Sequence, residues 1–162
     1  MSIFQKSRLV LLPALVALFA LTACGGSDDS TGPGGQRNAP SSITVLADSS
    51  LKSAFTQIGK DFEDQNDGAT VSFTFGSSAD LSQQAVAKDP GDVLATADQQ
   101  SMVAAQKVQI STPRVFATQG SNQCQIVTLQ QSKNTSLSNQ FINQVLSQSG
   151  QQALRQAGFS AP

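Results

Sequence analysis

The first strand and helix are predicted by the spacing of apolar residues. Ile43 to Ala47 is a β-branched and apolar run, which is typical of a buried strand. After the polar turn Asp48-Ser49-Ser50, apolar residues recur at helical spacing, with most charged residues on the other faces. These apolar residues are Leu51, Phe55, Ile58 and Phe62. The pattern predicts a strand, a serine-rich turn and a helix in succession.

The same unit recurs twice. Thr70 to Phe75 alternates as a strand, and the turn Gly76-Ser77-Ser78 leads into a predicted helix from Ala79 to Ala87. Asp92 to Thr96 is predicted to be a third strand, and Asp98 is a suitable N-cap for the helix that follows. Short connections between alternating strands and helices favour right-handed βαβ units. We therefore expect an α/β fold in three layers, with helices flanking a mainly parallel sheet.

The pattern changes after the third helix. Arg114 to Thr118 and Gln125 to Leu129 are predicted strands, joined by a loose polar loop from Gln119 to Gln123. A helix follows, interrupted at Ser149-Gly150 and continued by Ala153-Leu154. Its apolar face consists of Leu137, Phe141, Ile142, Val145 and Leu146. Across the whole domain, the side chains expected to be largely buried are Leu51, Phe55, Ile58, Phe62, Phe73, Phe75, Val93, Phe141, Val145 and Leu154.

The N-terminal region has the layout of a bacterial lipoprotein signal. Lys6 and Arg8 precede an apolar stretch, Leu9 to Leu21, that suits an export signal and is too short to span a bilayer stably. Small residues lie just before Cys24, which is therefore expected to carry the lipid. The alternatives are an ordinary signal peptide with an incidental cysteine, or a short anchor helix.

The signal, tether and domain can be separated by composition. The segment from Gly25 to Pro40 is rich in Gly, Ser, Pro and Asp and has no apolar periodicity. We predict a signal peptide over residues 1–23, a flexible tether over 24–40 and a single α/β domain over 41–162. The domain has about the modal size of one folding unit.

Composition excludes several classes of function. The 162 residues include no histidine, and Cys24 and Cys124 are the two cysteines. A soft-metal site, a Cys-His nucleophile and a Ser-His-Asp triad are therefore excluded, and we expect no enzymatic activity and no metal. The 10 basic and 11 acidic residues leave a formal net charge of −1. Because the basic residues are scattered, we expect no nucleic-acid partner.

Candidate binding chemistry lies in the two serine-rich turns. The carboxyl ends of parallel strands are where α/β folds bind ligands, and both turns lie at such ends. A helix N-terminus presents unpaired backbone N–H groups, and a nearby hydroxyl adds a donor, so an oxyanion could be held without a cationic side chain. The alternative for either turn alone is that its serines only cap their own helix.

A family resemblance gives these turns more weight. In this order, the segments ITVLADSSLKSAF, VSFTFGSSADLSQQ, DPGDVLATADQQSM, PRVFAT, QIVTLQQSKN and FINQVLSQSGQQALRQAGF resemble the periplasmic molybdate-binding proteins of ABC importers. The resemblance implies one lobe of a type II periplasmic binding protein, with molybdate or tungstate as ligand, no cofactor and an ABC permease as partner. It also implies that Ser50 and Ser78 bind the oxyanion. With the lipid on Cys24, the protein is expected at the extracytoplasmic face of the cell membrane.

The sequence departs from the family pattern at one place, between the predicted fourth and fifth strands. Family members continue after the segment that resembles PRVFAT into a second α/β lobe, and they return through a strand that resembles QIVTL. Here only Gln119 to Cys124 separates the two segments, so the second lobe is expected to be deleted at this point. The resemblance implies that the lobe contributes a tyrosine to the anion, and this chain has no tyrosine. The alternatives are therefore weak or dimer-dependent binding, a truncated remnant without useful anion binding, and a surface lipoprotein that binds another partner through an exposed cleft.

Overall fold

The computed structural model describes residues 41–162, which form five strands and five α-helices. The predicted signal peptide, Cys24 and the tether lie outside the described residues. The strands are β1 (Ser41–Asp48), β2 (Ala69–Gly76), β3 (Val93–Thr96), β4 (Arg114–Gln119) and β5 (Asn122–Thr128). The helices are α1 (Lys52–Gln65), α2 (Ser78–Val86), α3 (Gln99–Ala104), α4 (Thr135–Leu146) and α5 (Gln148–Gln156). Short 3-10 turns occupy Ser49–Leu51 and Gln106–Val108.

The five strands form one mixed sheet in the order β2-β1-β3-β5-β4. β1 lies in the middle of the parallel part and pairs with β2 on one side and with β3 on the other. β5 runs antiparallel to β3, and β4 runs antiparallel to β5. The carboxyl ends of β1, β2 and β3 therefore lie side by side at the same end of the sheet, where the two serine-rich turns lie.

Helices cover both faces of the sheet, which confirms the predicted α/β fold. Successive residues of β1 point to opposite faces, as the two-residue period of a strand requires. Val45 packs into a core shared with α1, α4 and α5, whereas Leu46 packs into a second core shared with α2 and α3. Phe55 is central to the first core, and its ring centroid lies 5.6 Å from that of Phe116 and 6.0 Å from that of Phe141.

Eight of the ten side chains expected to be largely buried are buried, and the prediction is wrong for Phe73 and Phe75. Both phenylalanines are half-buried because β2 is an edge strand of the sheet. They still pack against the first core, and their rings stack on each other with centroids 5.3 Å apart. The strand pattern alone cannot show which strand ends at the edge.

Two connections differ from the predictions. The loose loop expected from Gln119 to Gln123 is a tight hairpin, because β4 continues to Gln119 and β5 begins at Asn122. Gly120 has a φ of 61° in this turn, a conformation that glycine adopts without strain. The helical break expected at Ser149-Gly150 lies at Ser147, whose hydroxyl caps α5 by accepting the Gly150 N–H.

The end of the chain is joined to the outer strand of the hairpin. Ser160 pairs with Thr118 through two backbone hydrogen bonds of 2.9 and 3.0 Å. Phe159, one residue earlier, is buried in the first core. Among residues 41–162, none of the helices is long and apolar enough to cross a membrane.

Candidate functional site

The turn after β1 is organised around the carboxylate of Asp48. Asp48 is the last residue of β1 and the N-cap of the 3-10 turn that leads into α1. Its Oδ1 atom accepts hydrogen bonds from the Ser50 N–H at 2.9 Å and from the Ser50 hydroxyl at 2.8 Å. Next to it, the Ser49 hydroxyl donates to the carbonyl oxygen of Gly76 at 3.1 Å. The turn after β1 is thus joined directly to the turn after β2.

The turn after β2 uses its two serines differently. Ser77 is the N-cap of α2, accepting the Asp80 N–H at 3.1 Å and donating its hydroxyl to the Asp80 carboxylate at 2.7 Å. Ser78 is buried and turns away from the cap. Its N–H and its hydroxyl donate to Oδ2 of Asp48 at 2.9 and 2.6 Å, across 30 residues of sequence. Ser77 therefore caps α2, and Ser78 donates its hydrogen bonds to Asp48.

The segment after β3 joins the same network. The Ala97 N–H donates to the Ser78 hydroxyl oxygen at 3.0 Å, while that hydroxyl gives its proton to Asp48. Because β1 lies between β2 and β3, the ends of all three parallel strands approach one another here. Four donors from two serines converge on one carboxylate, and Ala97 orients one of those serines.

These hydrogen bonds keep Asp48 ionised. Partial burial by itself would raise the pKa of the carboxyl, but the bonds from Ser78 and Ser50 together outweigh burial. The pKa of Asp48 therefore lies below its ordinary value, and the side chain is a carboxylate at neutral pH. In the described part of the chain, the ion pair found within 4.0 Å joins Lys60 and Asp64, so no cationic side chain pairs with Asp48.

The structure brings the two predicted serines together. Ser50 and Ser78 direct both their N–H and their hydroxyl groups at a common point, although whether they bind a free anion stays a prediction. Sequence reasoning missed Asp48 and Ala97. Asp48 had a signal, since an acidic residue directly follows a buried strand and precedes two serines. Ala97 had none, because it contributes a backbone N–H that any residue except proline would supply.

Nearby acidic groups also act on the free cysteine. Cys124 is fully buried in β5, and burial, followed by the charges of Asp48 and Asp98, raises the pKa of its thiol to about 11. A neutral thiol at physiological pH is a poor nucleophile and a poor metal ligand. Within residues 41–162, no three acidic or cysteine side chains cluster in a way that could hold a metal ion.

A separate open concavity lies beside the β4–β5 hairpin. Its volume is about 760 Å³, and Asp98, Gln99 and Val103 on one side face Ser121 and Asn122 on the other. The surface is mixed: amide, hydroxyl and carboxylate groups lie beside the exposed side chain of Val103. The Asp48 network does not line this concavity.

The fold and the middle of the sequence show which proteins this chain is similar to. Residues 43–121 match the family described as bacterial extracellular solute-binding protein. This span contains Asp48, Ser50, Ser78 and Ala97, and therefore the whole candidate site.

Two of the relatives are the molybdate-binding proteins ModA of Mycobacterium tuberculosis (strain H37Rv) and Mycobacterium bovis. Each is 38% identical over 109 residues, a match that covers 66% of this chain and 42% of the relative. The chain thus spans less than half of the length of these curated relatives. The sequence resemblance to periplasmic molybdate-binding proteins is confirmed.

Solved structures share the fold at low identity. The substrate-binding domain of a molybdenum ABC transporter from Clostridium difficile has a TM-score of 0.68 at 13% identity, covering 75% of this chain and 99% of that chain. The periplasmic molybdate-binding protein of Azotobacter vinelandii has a TM-score of 0.65 at 11% identity, covering 74% and 99%. The sulfate-binding protein SubI of Mycobacterium tuberculosis reaches 0.62 at 11% identity, covering 75% and 87%. The fold is that of periplasmic binding proteins.

Proposed function

We propose that this protein is a substrate-binding lipoprotein of a molybdate or tungstate ABC importer and not an enzyme. Ser50 and Ser78 would bind the oxyanion through their hydroxyls and through N–H groups at the start of α1 and α2. The 38% identity to mycobacterial molybdate-binding proteins supports molybdate as the ligand. No cofactor is needed, because the ligand is bound and released unchanged.

One observation carries the proposal. The Asp48 carboxylate is itself an oxygen anion, and it is held by four neutral donors at 2.6 to 2.9 Å. Oriented hydroxyl and backbone N–H donors are the groups by which helix N-termini hold oxyanions without a cation. The two turns are therefore built to surround an anionic oxygen group, which supports the assignment of Ser50 and Ser78.

The proposed partners follow from the proposed class. An importer requires a membrane permease to receive the anion, and the lipid on Cys24 would hold the binding domain next to that permease. The domain would then act at the extracytoplasmic face of the membrane, at the end of the tether over residues 24–40. Diglyceride plus acyl chains provide more than the single chain whose anchoring is only marginal.

The tight hairpin bears on affinity. Gly120 and Ser121 form the turn at the point where the resemblance places a second lobe in two-lobed relatives. If that lobe supplied two hydrogen bonds to the anion, at roughly 1.5–3 kcal/mol each, its loss would weaken binding by about two to four orders of magnitude. We therefore propose a single lobe that binds weakly as a monomer, or more tightly as a dimer that rebuilds a cleft.

The hydrogen bonds of Asp48 also support a second candidate function, one without anion binding. Because Asp48 already uses all four donors, the chain could be a truncated remnant, or a surface lipoprotein that uses its exposed cleft for a partner, without useful anion binding. The concavity beside the hairpin offers such a partner a mixed polar and apolar surface. Anion titration separates the two candidates.

The test is calorimetric titration of the mature chain with molybdate, and with sulfate for comparison. We expect millimolar or tighter binding of molybdate by the wild type and a loss of at least tenfold in Ser50→Ala and in Ser78→Ala. Ser49→Ala is the matched control, since the Ser49 hydroxyl donates to Gly76 and not to Asp48. Equal binding by all four proteins would remove Ser50 and Ser78 from the site. If neither the wild type nor variants of Asp48 release or absorb heat on titration with millimolar molybdate, the second candidate function, without useful anion binding, is supported.

A further inference from the structure

We propose that Asp48 is an internal competitor of the oxyanion, so that this one residue sets whether and how tightly the site binds a free anion. The inference rests on the proposed function, because it concerns the same donors. Its basis is that the Asp48 carboxylate occupies the position to which both serine turns point, using Oδ1 for Ser50 and Oδ2 for Ser78.

While the Asp48 carboxylate is in place, none of the four hydrogen-bond donors is available to a free anion. Each serine hydroxyl has one proton, and both protons are given to Asp48, at 2.8 Å from Ser50 and 2.6 Å from Ser78. The two backbone N–H groups are used in the same way, both at 2.9 Å. A free oxyanion can take these four donors only if the carboxylate moves out.

Movement of the carboxylate is possible but unfavourable. Asp48 and Ala97 are half-buried and Ser50 is exposed, so the side chain has solvent beside it into which it can turn. On leaving, it would lose the hydrogen bonds that hold its pKa below the ordinary value. A free anion must therefore supply hydrogen bonds at least as good as those that it displaces.

Charge acts in the same direction. A carboxylate about 4 Å from a dianion opposes its binding by roughly 30-fold even in a water-like dielectric, and by more where solvent is excluded. Among the described residues no cationic side chain lies within 4.0 Å of the Asp48 carboxylate to form an ion pair with it. Wild-type affinity is thus lowered by two effects of one residue, the occupied donors and the nearby negative charge.

The decisive variant is Asp48→Ala, which vacates the donors and removes the charge. We expect calorimetry of the mature chain to show molybdate binding at least tenfold tighter than in the wild type. Asp48→Asn should give a smaller gain, because its amide keeps one acceptor oxygen in the site. Asp80→Asn is the matched control: it removes a charge from the next turn, where Asp80 bonds to Ser77, and leaves the four donors unchanged. We expect it to bind within about threefold of the wild type.

The outcomes separate this inference from the proposed function. Equal molybdate affinity in wild type and both Asp48 variants would overturn the inference and leave the proposed function standing. Binding in Asp48→Ala alone would support the inference and assign the wild type no delivery role. Absence of binding in all variants would overturn both proposals. If Asp48→Ala does not melt cooperatively, Asp48→Asn decides: tighter molybdate binding than in Asp80→Asn supports the inference, and equal affinity of these two variants overturns it.

Discussion

At the scale of single residues, Asp48 connects local structure to the site. One oxygen of its carboxylate caps the turn that starts α1, and the other holds the N-terminal residue of α2. The two serines that follow β2 differ in these contacts, since Ser77 caps its own helix and Ser78 donates to Asp48. A residue that looks like an ordinary part of a polar turn thus fixes the relative positions of two helices.

The lowered pKa of Asp48 predicts a pH dependence of stability. A carboxyl whose pKa is lower in the folded state than in the unfolded state stabilises the fold above its unfolded pKa. This contribution is lost as the pH falls below the ordinary value of 3.8 and through the lower folded pKa. We expect the free energy of unfolding, from urea titrations at pH 5 and pH 3, to fall more in the wild type than in Asp48→Asn.

The comparison between the two proteins matters here, because acidification acts on the whole chain and only the difference between the two proteins reports on Asp48. Asp64→Asn serves as a second reference, since Asp64 is exposed and pairs only with the exposed Lys60 at 3.8 Å. It should lose stability on acidification as the wild type does. An identical pH dependence in Asp48→Asn and wild type would show that the Ser50 and Ser78 hydrogen bonds do not favour the ionised form.

At the scale of elements, the domain is held together by phenylalanines that join helices to each other. Phe62 on α1 and Phe141 on α4 meet edge to face, with centroids 5.6 Å apart. Phe55, on the same helix as Phe62, meets Phe141 at 88° between ring planes. One side chain of α4, Phe141, therefore contacts two rings of α1.

Truncation of these rings should be among the most damaging single changes. Phe55→Ala or Phe141→Ala should lower the free energy of unfolding by about 3–5 kcal/mol, because each removes a fully buried ring and leaves a cavity. Chemical denaturation followed by circular dichroism measures the loss. Val103→Ala is the control, since Val103 is 57% exposed and should cost less than about 0.5 kcal/mol. Near-wild-type stability of both phenylalanine variants would contradict the assignment of the first core.

At the scale of the whole molecule, the proposed role depends on where the domain is held. A domain on a short tether stays near the membrane and any permease in it, and a released domain is diluted into the surroundings. The predicted lipid on Cys24 is therefore central to the proposed function, whichever anion is bound.

Replacement of Cys24 tests the anchor. We expect Cys24→Ser to abolish lipidation and to give unprocessed or soluble protein in place of a processed membrane-bound form, as followed by cell fractionation and mass spectrometry. Ser30→Ala, in the predicted tether, should fractionate as the wild type does. A processed Cys24→Ser chain that remained on the membrane would be incompatible with lipid anchoring through this residue.

The sequence alone determined the type and order of the elements and the buried faces of α1 and α4. Residues such as Phe55, Ile58 and Phe62 are read correctly because helical and strand periodicities are local properties of the chain. Order and type of elements then predict the α/β class, and the position of the serine-rich turns follows from the parallel arrangement of β1, β2 and β3.

Tertiary structure decided everything that depends on residues distant in sequence. Phe73 and Phe75 are only partly buried because β2 has a neighbour on one side only, which no local pattern reveals. The hydroxyl of Ser78 serves Asp48 and not its own helix because β1 lies beside β2, 30 residues away in the chain. Strand order and register also decide which donors converge and that the Asp48 carboxylate lies where they meet. The reason is that only the folded sheet brings the two turns within hydrogen-bonding distance.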